Sequence, residues 1–409
     1  MAARALGATK YSSLVVLWTL VFFAAPGFLF PVEQEVSRAV AARRAVGAGG
    51  GPVIRRAAVL ALGLAAALAV ISLATGRLML DHLFDGQSLL LVALIVALPS
   101  YAAIHLGRGT FSGSARFGAY GWLLAGEGIL RVGGVVALAI VGVKTAGVYG
   151  LLIALAPLAA LLVIAAREHD DLLPPGPEAK WTELSANLWW LLAGSALAQG
   201  FVNVPVPIVK VLASNTEAAI AGQFQAGMII SRVPLFLFQA VQAALLPKLA
   251  GLAASGRFTD FRTGLKRLVW VVVGIGVAAT IGAWLLGPFA LRILFGPEFD
   301  KLGHADLGYL ALASAAFMLA MALSQALIAL EGHAKAALGW FVAIVVLAGV
   351  VATFHGLLFR VEMGLVIGAV VSVAAMALLL QLQMRTHAVP DTAEALVDAV
   401  SPEHEIIEP

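Results

Sequence analysis

The sequence predicts an all-α, polytopic membrane protein, on three observations. Hydrophobic residues make up 61% of the 409 residues and charged residues only 12%, whereas a soluble domain has about 25% charged residues. The apolar residues are gathered in runs of roughly 20, the length that a helix needs to cross a bilayer. These runs are expected to be helical, because lipid offers no partner to free backbone groups.

Eleven such runs follow one another along the chain. They are Ser12–Phe30, Ala57–Ala74, Leu89–Ile104, Tyr120–Val141, Val148–Ala166, Leu188–Val211, Ile220–Leu246, Leu268–Phe289, Leu307–Leu330, Ala336–Phe354 and Gly364–Leu382. A Pro-rich stretch separates five helices from six, because its prolines prevent a continuous helix. We therefore expect an N-lobe at 1–166, a linker at 167–187, a C-lobe at 188–390 and an acidic tail at 391–409.

Lysine and arginine are distributed unevenly between the two ends of the predicted helices. If the loop after the first span is cytoplasmic, 16 basic residues lie on the cytoplasmic side and seven on the opposite side. An excess of Lys and Arg marks the cytoplasmic side of membrane proteins. The sequence thus predicts a multi-pass protein of the cytoplasmic membrane with its C-terminus in the cytoplasm and its N-terminus outside.

A weak internal repeat relates the two lobes. Val32–Gly47 aligns with Val241–Gly256, and each segment ends a long helix before a basic loop. The second copy follows one helix after the linker, and the equivalent first helix is missing. We therefore interpret the chain as a six-plus-six fold that lacks its first helix, with lobes related by a pseudo-twofold axis along the membrane normal.

Four local patterns carry a family resemblance. They are RALGATKYSS near the N-terminus, Arg108–Gly134, Ser231–Phe261 with its Leu-Pro and Gly-rich turn, and RILFGPEF at Arg292–Phe299. In this order they resemble the oligosaccharide-lipid (O-antigen type) flippases of the polysaccharide biosynthesis family, within the multidrug/oligosaccharidyl-lipid/polysaccharide exporter superfamily. The missing first helix and the segment PVEQEVSR depart from the family pattern. The resemblance implies two lobes around a central cavity, through which a polyprenyl-diphosphate-linked glycan crosses the membrane.

Polar residues form stripes on several predicted spans. A helix turns about 100° per residue, so that positions seven or eleven apart share a face. Four spans carry such a stripe, which predicts a shared aqueous cavity. The candidate substrate-binding residues are Arg232, Lys210, Arg131, Glu127, Gln225, Gln239, Asn203 and Gln199.

The sign of the charge in these stripes suggests the ligand. Three cations and one anion lie inside the spans, and an arginine can offer a bidentate fork to phosphate oxygens. We expect Arg232, Lys210 and Arg131 to attract a diphosphate headgroup and the amides to contact sugar hydroxyls. Structural roles remain open at this point: amides can bridge helices, Glu127 and Arg131 can neutralise each other, and Lys210 can extend outward to the membrane surface.

The same residues leave other functions open. A drug/cation antiporter of the same superfamily would need intramembrane carboxylates, of which Glu127 is the one candidate. A glycan-processing membrane enzyme would need acids on a large outer loop, and a non-transporting scaffold is a third alternative. The chain has no cysteine, a net charge of +3 and no Walker-type loop. We therefore expect no cofactor, no metal, no nucleic-acid partner and no enzymatic activity, with membrane lipid and a polysaccharide polymerase or glycosyltransferases as further partners.

Overall fold

A computed structural model describes residues 2–168, 173–184, 188–214, 219–235, 252, 257–299 and 301–400, with only the backbone described at 8, 9 and 386–400. The described residues form helices and connecting turns, without a strand. The predicted all-α class is confirmed. The predicted residue Gln239 lies outside the described residues.

The described residues include fourteen α-helices, numbered in chain order. They are α1 (Ala2–Ala24), α2 (Phe30–Ala45), α3 (Gly51–Ala74), α4 (Gly76–His82), α5 (Ser88–Gly113), α6 (Phe117–Ile140), α7 (Ala146–Arg167), α8 (Leu188–Asn203), α9 (Pro205–Leu212), α10 (Ile220–Ser231), α11 (Phe258–Phe295), α12 (His304–Ala329), α13 (His333–Thr353) and α14 (Leu357–Val400). A π-helix at Ala25–Leu29 joins α1 to α2, and a 3₁₀ turn lies at Trp181–Glu183.

Most of the predicted membrane spans are present as long apolar helices. Within the described ranges nine helices are long and apolar enough to cross a bilayer, and α8 with α9 makes a tenth if that pair, bent by 43°, is one span. Pro205 and Pro207 lie at this bend, as expected for residues without a backbone N–H donor. The predicted span Ile220–Leu246 begins with α10 and continues outside the described residues. The protein is thus a multi-pass membrane protein.

Several helices extend beyond the predicted spans. The segment expected to be a cytoplasmic loop after Phe30 is helical to Ala45, because the π-helix around Pro26 carries the chain into α2 without a break. Helix α5 continues to Gly113, and α14 begins at Leu357. The extensions matter because they place charged residues, assigned to loops from the sequence, on the faces of membrane helices.

Each half of the chain packs largely on itself. In the first half, α1 to α7, helix α5 contacts α2, α3 and α7, and α6 packs on α7. In the second half, α8 to α14, helix α12 contacts α11 and α14, and α13 contacts α8 and α14. Between the halves, α1 touches α8, α9 and α10, and the π-helix lies against α8. Helices α1 and α8 therefore supply much of the contact between the two halves.

The linker is attached to the end of α2 by an ion pair. Arg43 Nε donates to Glu183 Oε2 over 2.7 Å, and Arg43 Nη1 donates to the Gly49 and Pro177 carbonyl oxygens over 3.0 and 2.8 Å. The hydrogen bond from Arg43 holds the pKa of Glu183 at about 2, well below its usual range. Arg43 is buried, so that its guanidinium depends on these acceptors.

Candidate functional site

Two helices of the first half bring three charged side chains together. Arg108 on α5 and Arg131 on α6 both donate to the carboxylate of Glu127, each to a different oxygen. Arg131 also donates to the hydroxyl of Tyr101 over 3.0 Å, and its guanidinium carbon lies 5.3 Å from the ring centroid of Trp18. The predicted Glu127–Arg131 pair therefore exists, and Arg108 is an additional member that the sequence had placed in a loop.

This cluster lines a cavity of about 270 Å³. Its wall comes from three places in the first half: the junction of α1 with the π-helix, α5 and α6. The lining residues are Phe22, Ala25, Pro26, Tyr101, His105, Arg108, Leu124, Glu127, Gly128 and Arg131. One wall is thus charged, with two arginines and one carboxylate, and the other is apolar; the arginines suit a ligand with an anionic group.

A second buried acid lies beside this cavity. Oε2 of Glu33, on α2, is 2.7 Å from Nδ1 of His105, and both side chains are buried. The hydroxyl of Tyr120 also faces Glu33. The sequence alone did not connect Glu33 with His105. A sequence pattern does indicate part of this site. Tyr101, His105 and Arg108 in α5 are spaced by four and three residues, so they share one helix face.

The charges of the cavity and its border nearly cancel. Arg108 and Arg131 both pair with Glu127, whereas Glu33 pairs with His105, which adds a positive charge only when it is protonated. Burial makes each of these charges depend on its partners, because an uncompensated buried charge is costly. An anion that enters the cavity would therefore compete with Glu127 for the two guanidinium groups.

The predicted polar stripe of α8 faces the other half of the molecule. Ser195 Oγ donates to the Pro26 carbonyl over 2.9 Å, and Asn203 Nδ2 donates to both oxygens of Gln199, over 3.0 and 3.1 Å. The same Asn203 Nδ2 lies 3.5 Å from the Phe22 carbonyl oxygen. Phe22 and Pro26 also line the cavity, so that the amide stripe touches the back of the cavity wall and bridges the two halves.

Arg232 and Gln225 lie on α10 and its C-terminal end. Arg232 Nη2 donates to the carbonyl of Val202, at the bend between α8 and α9, and its Nε is buried without a hydrogen-bond partner among the described residues. Gln225 is buried, and its Oε1 likewise has no partner there. Arg232 therefore supports the bent helix in this conformation, and the structure does not bring it to the Arg108–Arg131 cluster.

Lys210 lies apart from the cavity. It is at the last turn of α9, where Nζ is 2.9 Å from Oδ2 of Asp85, a residue of the loop between α4 and α5. Of the eight predicted residues, the structure places Glu127 and Arg131 in the cavity, Gln199 and Asn203 behind its wall, and Lys210, Arg232 and Gln225 elsewhere. Gln239 is outside the described residues.

An apolar groove adjoins the cavity on the outer face of α6. The groove is shallow and open, and it is lined by Ala125, Gly128, Ile129, Val132 and Gly133. Gly128 belongs to the lining of both the groove and the cavity. Ile129 and Val132 are exposed at 65% each, so that the groove opens toward the lipid. The charged cavity and the lipid-facing groove thus meet at one glycine.

Comparison with known sequences identifies uncharacterized relatives. No family model matches the chain. An uncharacterized protein of Mycobacterium tuberculosis is 28% identical over 265 residues, which are 63% of this chain and 58% of that protein. The chain thus matches less than two thirds of that relative's length. An uncharacterized protein of Mycobacterium bovis is 26% identical over 354 residues, which are 83% of this chain and 78% of that protein.

Comparison with solved structures identifies the fold. An inward-facing multidrug resistance MATE family transporter of the MOP superfamily superposes with a TM-score of 0.70 at 13% identity, and the match covers 94% of both chains. A MATE protein in a bent conformation gives 0.63 at 14% identity, with 95% and 96% covered. A MOP superfamily transporter from Pyrococcus furiosus, described by the reversed polarity of its binding pocket, gives 0.57 at 12% identity, with 94% and 88% covered. The chain therefore has the fold of the MATE transporters of the MOP superfamily.

Proposed function

We propose that this protein is a flippase that moves a polyprenyl-diphosphate-linked oligosaccharide across the cytoplasmic membrane by alternating access, with its C-terminus in the cytoplasm. The observation that supports this most directly is the cavity in which Arg108 and Arg131 share Glu127, next to a groove open to lipid. A ligand that is anionic at one end and hydrophobic at the other matches both the cavity and the groove. The oligosaccharide-flippase resemblance of the sequence points to the same substrate class.

The headgroup end of the cavity fits a diphosphate. Each guanidinium can present two parallel N–H donors to phosphate oxygens, and such charge-assisted bonds are stronger than neutral ones. In the present conformation Glu127 occupies donors of both arginines. We infer that a diphosphate displaces Glu127 from one of them, while Tyr101 and Trp18 keep Arg131 in position.

The lipid end fits a long hydrocarbon chain. The groove between Ala125 and Gly133 is apolar, and its glycines leave room on the outer face of α6. Nothing lies within 4 Å of a Cβ atom placed on Gly128 or Gly133. A prenyl tail can therefore remain in the lipid while the headgroup passes through the cavity, as flipping of such a molecule requires.

The amides and remaining cations have supporting roles in this proposal. Gln199 and Asn203 join α8 to the wall of the cavity, and Arg232 supports the bend beside them. Because alternating access moves the halves against each other, these side chains, with Lys210, Gln225 and Gln239, would meet the glycan in another conformation. A polysaccharide polymerase or glycosyltransferases would act before or after this step.

The test is flipping of a fluorescent undecaprenyl-diphosphate glycan in reconstituted vesicles. Arg131→Gln and Arg108→Gln should each reduce the flipping rate by at least about tenfold, since a charge-assisted hydrogen bond contributes about 1.5–3 kcal/mol. The matched control is Arg77→Gln, because Arg77 is exposed and outside the cavity. Full flipping by both cavity variants would overturn the proposal.

A drug/cation antiporter is the second candidate. The observation in its favour is that the described membrane helices carry the buried carboxylates Glu33, Glu35, Glu127 and Glu362, of which the sequence indicates one, Glu127. The same fold occurs in a multidrug resistance transporter. Uptake of a lipophilic cation into the same vesicles, driven by a pH gradient and abolished by Glu127→Gln, would favour this function over lipid flipping.

A further inference from the structure

Glu362 is a buried acid in the second half, far along the chain from the cavity residues. It lies near the beginning of α14, one turn after Leu357, within the membrane-spanning part of that helix. Its side chain is 1% exposed, and neither carboxyl oxygen accepts a hydrogen bond from a donor among the described residues. The other buried acids of the membrane helices have donors, so that Glu362 stands apart from them.

The ionisable side chain that faces Glu362 is Asp306. Asp306 lies in the first turn of α12, the helix against which α14 packs. Asp306 Oδ2 accepts a hydrogen bond from the Gly303 backbone N–H over 2.6 Å, and the side chain is half-buried. Glu362 is therefore enclosed in the protein, whereas Asp306 is partly exposed at the start of α12.

The other charged groups around α14 are engaged elsewhere or lie at a distance. On α9, Lys210 is paired with Asp85. On α13, Lys335 donates to Gln383, near the opposite end of the membrane-spanning part of α14. On α14 itself, Arg360 makes no ion pair with Glu362 within the described part of the chain. Arg360 Nε is buried and also lacks a hydrogen-bond partner there. On α12, the further titratable groups are His304 and Tyr309.

Two neighbouring carboxyl groups cannot both be ionised at low cost when one of them, Glu362, has no donor among the described residues. Burial disfavours a charged carboxylate, and a like charge nearby disfavours it again. A hydrogen bond between two carboxyl groups needs a proton on one of them. We propose that Glu362 and Asp306 form a proton-binding site in the second half of the chain, in which one proton is held between the two carboxyl groups at neutral pH.

Asp306 connects this site with water. Asp306 is at the start of α12 and partly exposed, whereas Glu362 is enclosed between α12 and α14. Proton exchange with the solution therefore runs through Asp306. A motion that separates α12 from α14 would release the proton, and a motion that closes them would retain it. The site is separate from the cavity of the first half and does not depend on the proposed substrate.

The test uses labelling by a hydrophobic carbodiimide, which reacts with protonated carboxyl groups in apolar surroundings. The purified full-length protein is treated in detergent without substrate, and the modified peptides are identified by mass spectrometry. We expect label on Glu362 at about pH 6 and its loss by about pH 9. Glu127 is the internal control and should stay unlabelled, because it is also buried but is paired with Arg108 and Arg131.

Two variants sharpen the result. Glu362→Gln should remove the label from this peptide and leave the protein folded, because a neutral amide replaces a neutral acid of similar shape. Asp306→Asn should shift the loss of label on Glu362 to lower pH, because the neighbouring negative charge is removed. Absence of label on Glu362 throughout the pH range would overturn the proposal, as would protection of Glu362 by sodium at constant pH, which would indicate a metal-cation site.

Discussion

Lys210 and Asp85 form an ion pair that joins the two halves of the protein. Lys210 Nζ, from the second half, lies 2.9 Å from Asp85 Oδ2, which also accepts a hydrogen bond from the Ser13 hydroxyl. The lysine side chain is 5% exposed and the aspartate 44%. Asp85 has a positive φ of 49°, a conformation that Asp and Asn tolerate better than most residues. The pair lies at the C-terminal end of α9.

Removing either partner of this pair should have unequal effects. Asp85→Asn should lower the free energy of unfolding by about 3 kcal/mol, because the buried lysine loses its counter-charge. Lys210→Met should cost about 1 kcal/mol or less, because the aspartate is half exposed and keeps the Ser13 hydroxyl. Thermal unfolding of both variants in the same detergent shows which substitution lowers the stability more. Equal losses would show that burial of the lysine charge does not decide the stability of the pair.

Glu127 should determine how strongly the cavity prefers an anion. In Glu127→Gln the two arginines lose their shared counter-charge, and we expect a loss of about 3 kcal/mol in stability. A diphosphate-bearing lipid should then raise the unfolding temperature of the variant more than that of the wild type. The exposed Glu331→Gln is the control. An equal ligand effect in all three proteins would contradict binding of the diphosphate at Arg108 and Arg131.

The contact between the linker and α2 should weaken in acid. The pKa of Glu183 is about 2 in the folded protein and about 4.5 without its partner, so that the ionised form is favoured by folding. Its contribution is complete above about pH 4.5 and is lost as the pH falls toward 2. Proteolysis of the linker should accelerate over this window in the wild type. In Glu183→Gln, proteolysis of the linker should already be fast at pH 7 and should change little with pH.

A nearby acid provides the control for this pH effect. Glu178 Oε1 is 3.0 Å from Arg56 Nη2, but its side chain is 91% exposed. Glu178→Gln should therefore follow the wild-type pH dependence, because exposed ion pairs contribute little. If Glu178→Gln removed the effect and Glu183→Gln preserved it, the role assigned to Arg43 would be wrong.

The close packing of α5 on α2 should depend on Gly109. A Cβ atom there would lie 2.6 Å from the Glu33 carbonyl oxygen and 2.9 Å from Val36 Cβ. Gly109→Ala should thus cost about 1–3 kcal/mol by forcing the helices apart. Gly121→Ala on α6 is the control, because nothing lies within 4 Å of its Cβ position. This second change should be neutral or stabilising by up to about 1 kcal/mol, as measured by thermal unfolding.

The fold was largely predictable because apolar runs of membrane length leave few structural choices. Their bounds were less accurate, since hydropathy falls wherever a helix carries charged side chains at its end. Helix α5 illustrates this: the predicted span stopped at Ile104, and the helix continues through His105 and Arg108 to Gly113. The predicted division into lobes and the missing first helix stay predictions.

The site was predictable only in part, because it depends on contacts between helices. The pairing of Glu127 with Arg131 follows from a spacing of four residues on one helix. The pairing of Glu33 with His105 joins residues 72 positions apart, and no local pattern indicates it. Glu362 was missed for a different reason: it lies just outside the predicted last span, and the helix begins earlier.

Helix α6 is the described span that is least covered by the rest of the protein. It carries Glu127 and Arg131, yet only 11% of its most apolar window is buried inside the protein, the lowest share among the described spans. The surrounding acyl chains therefore complete the packing of the helix that holds these charges. Bilayer thickness, chain unsaturation and the choice of detergent all act directly on the position of α6. Affinities measured in micelles and in native-like lipid should consequently differ, even for an unaltered sequence.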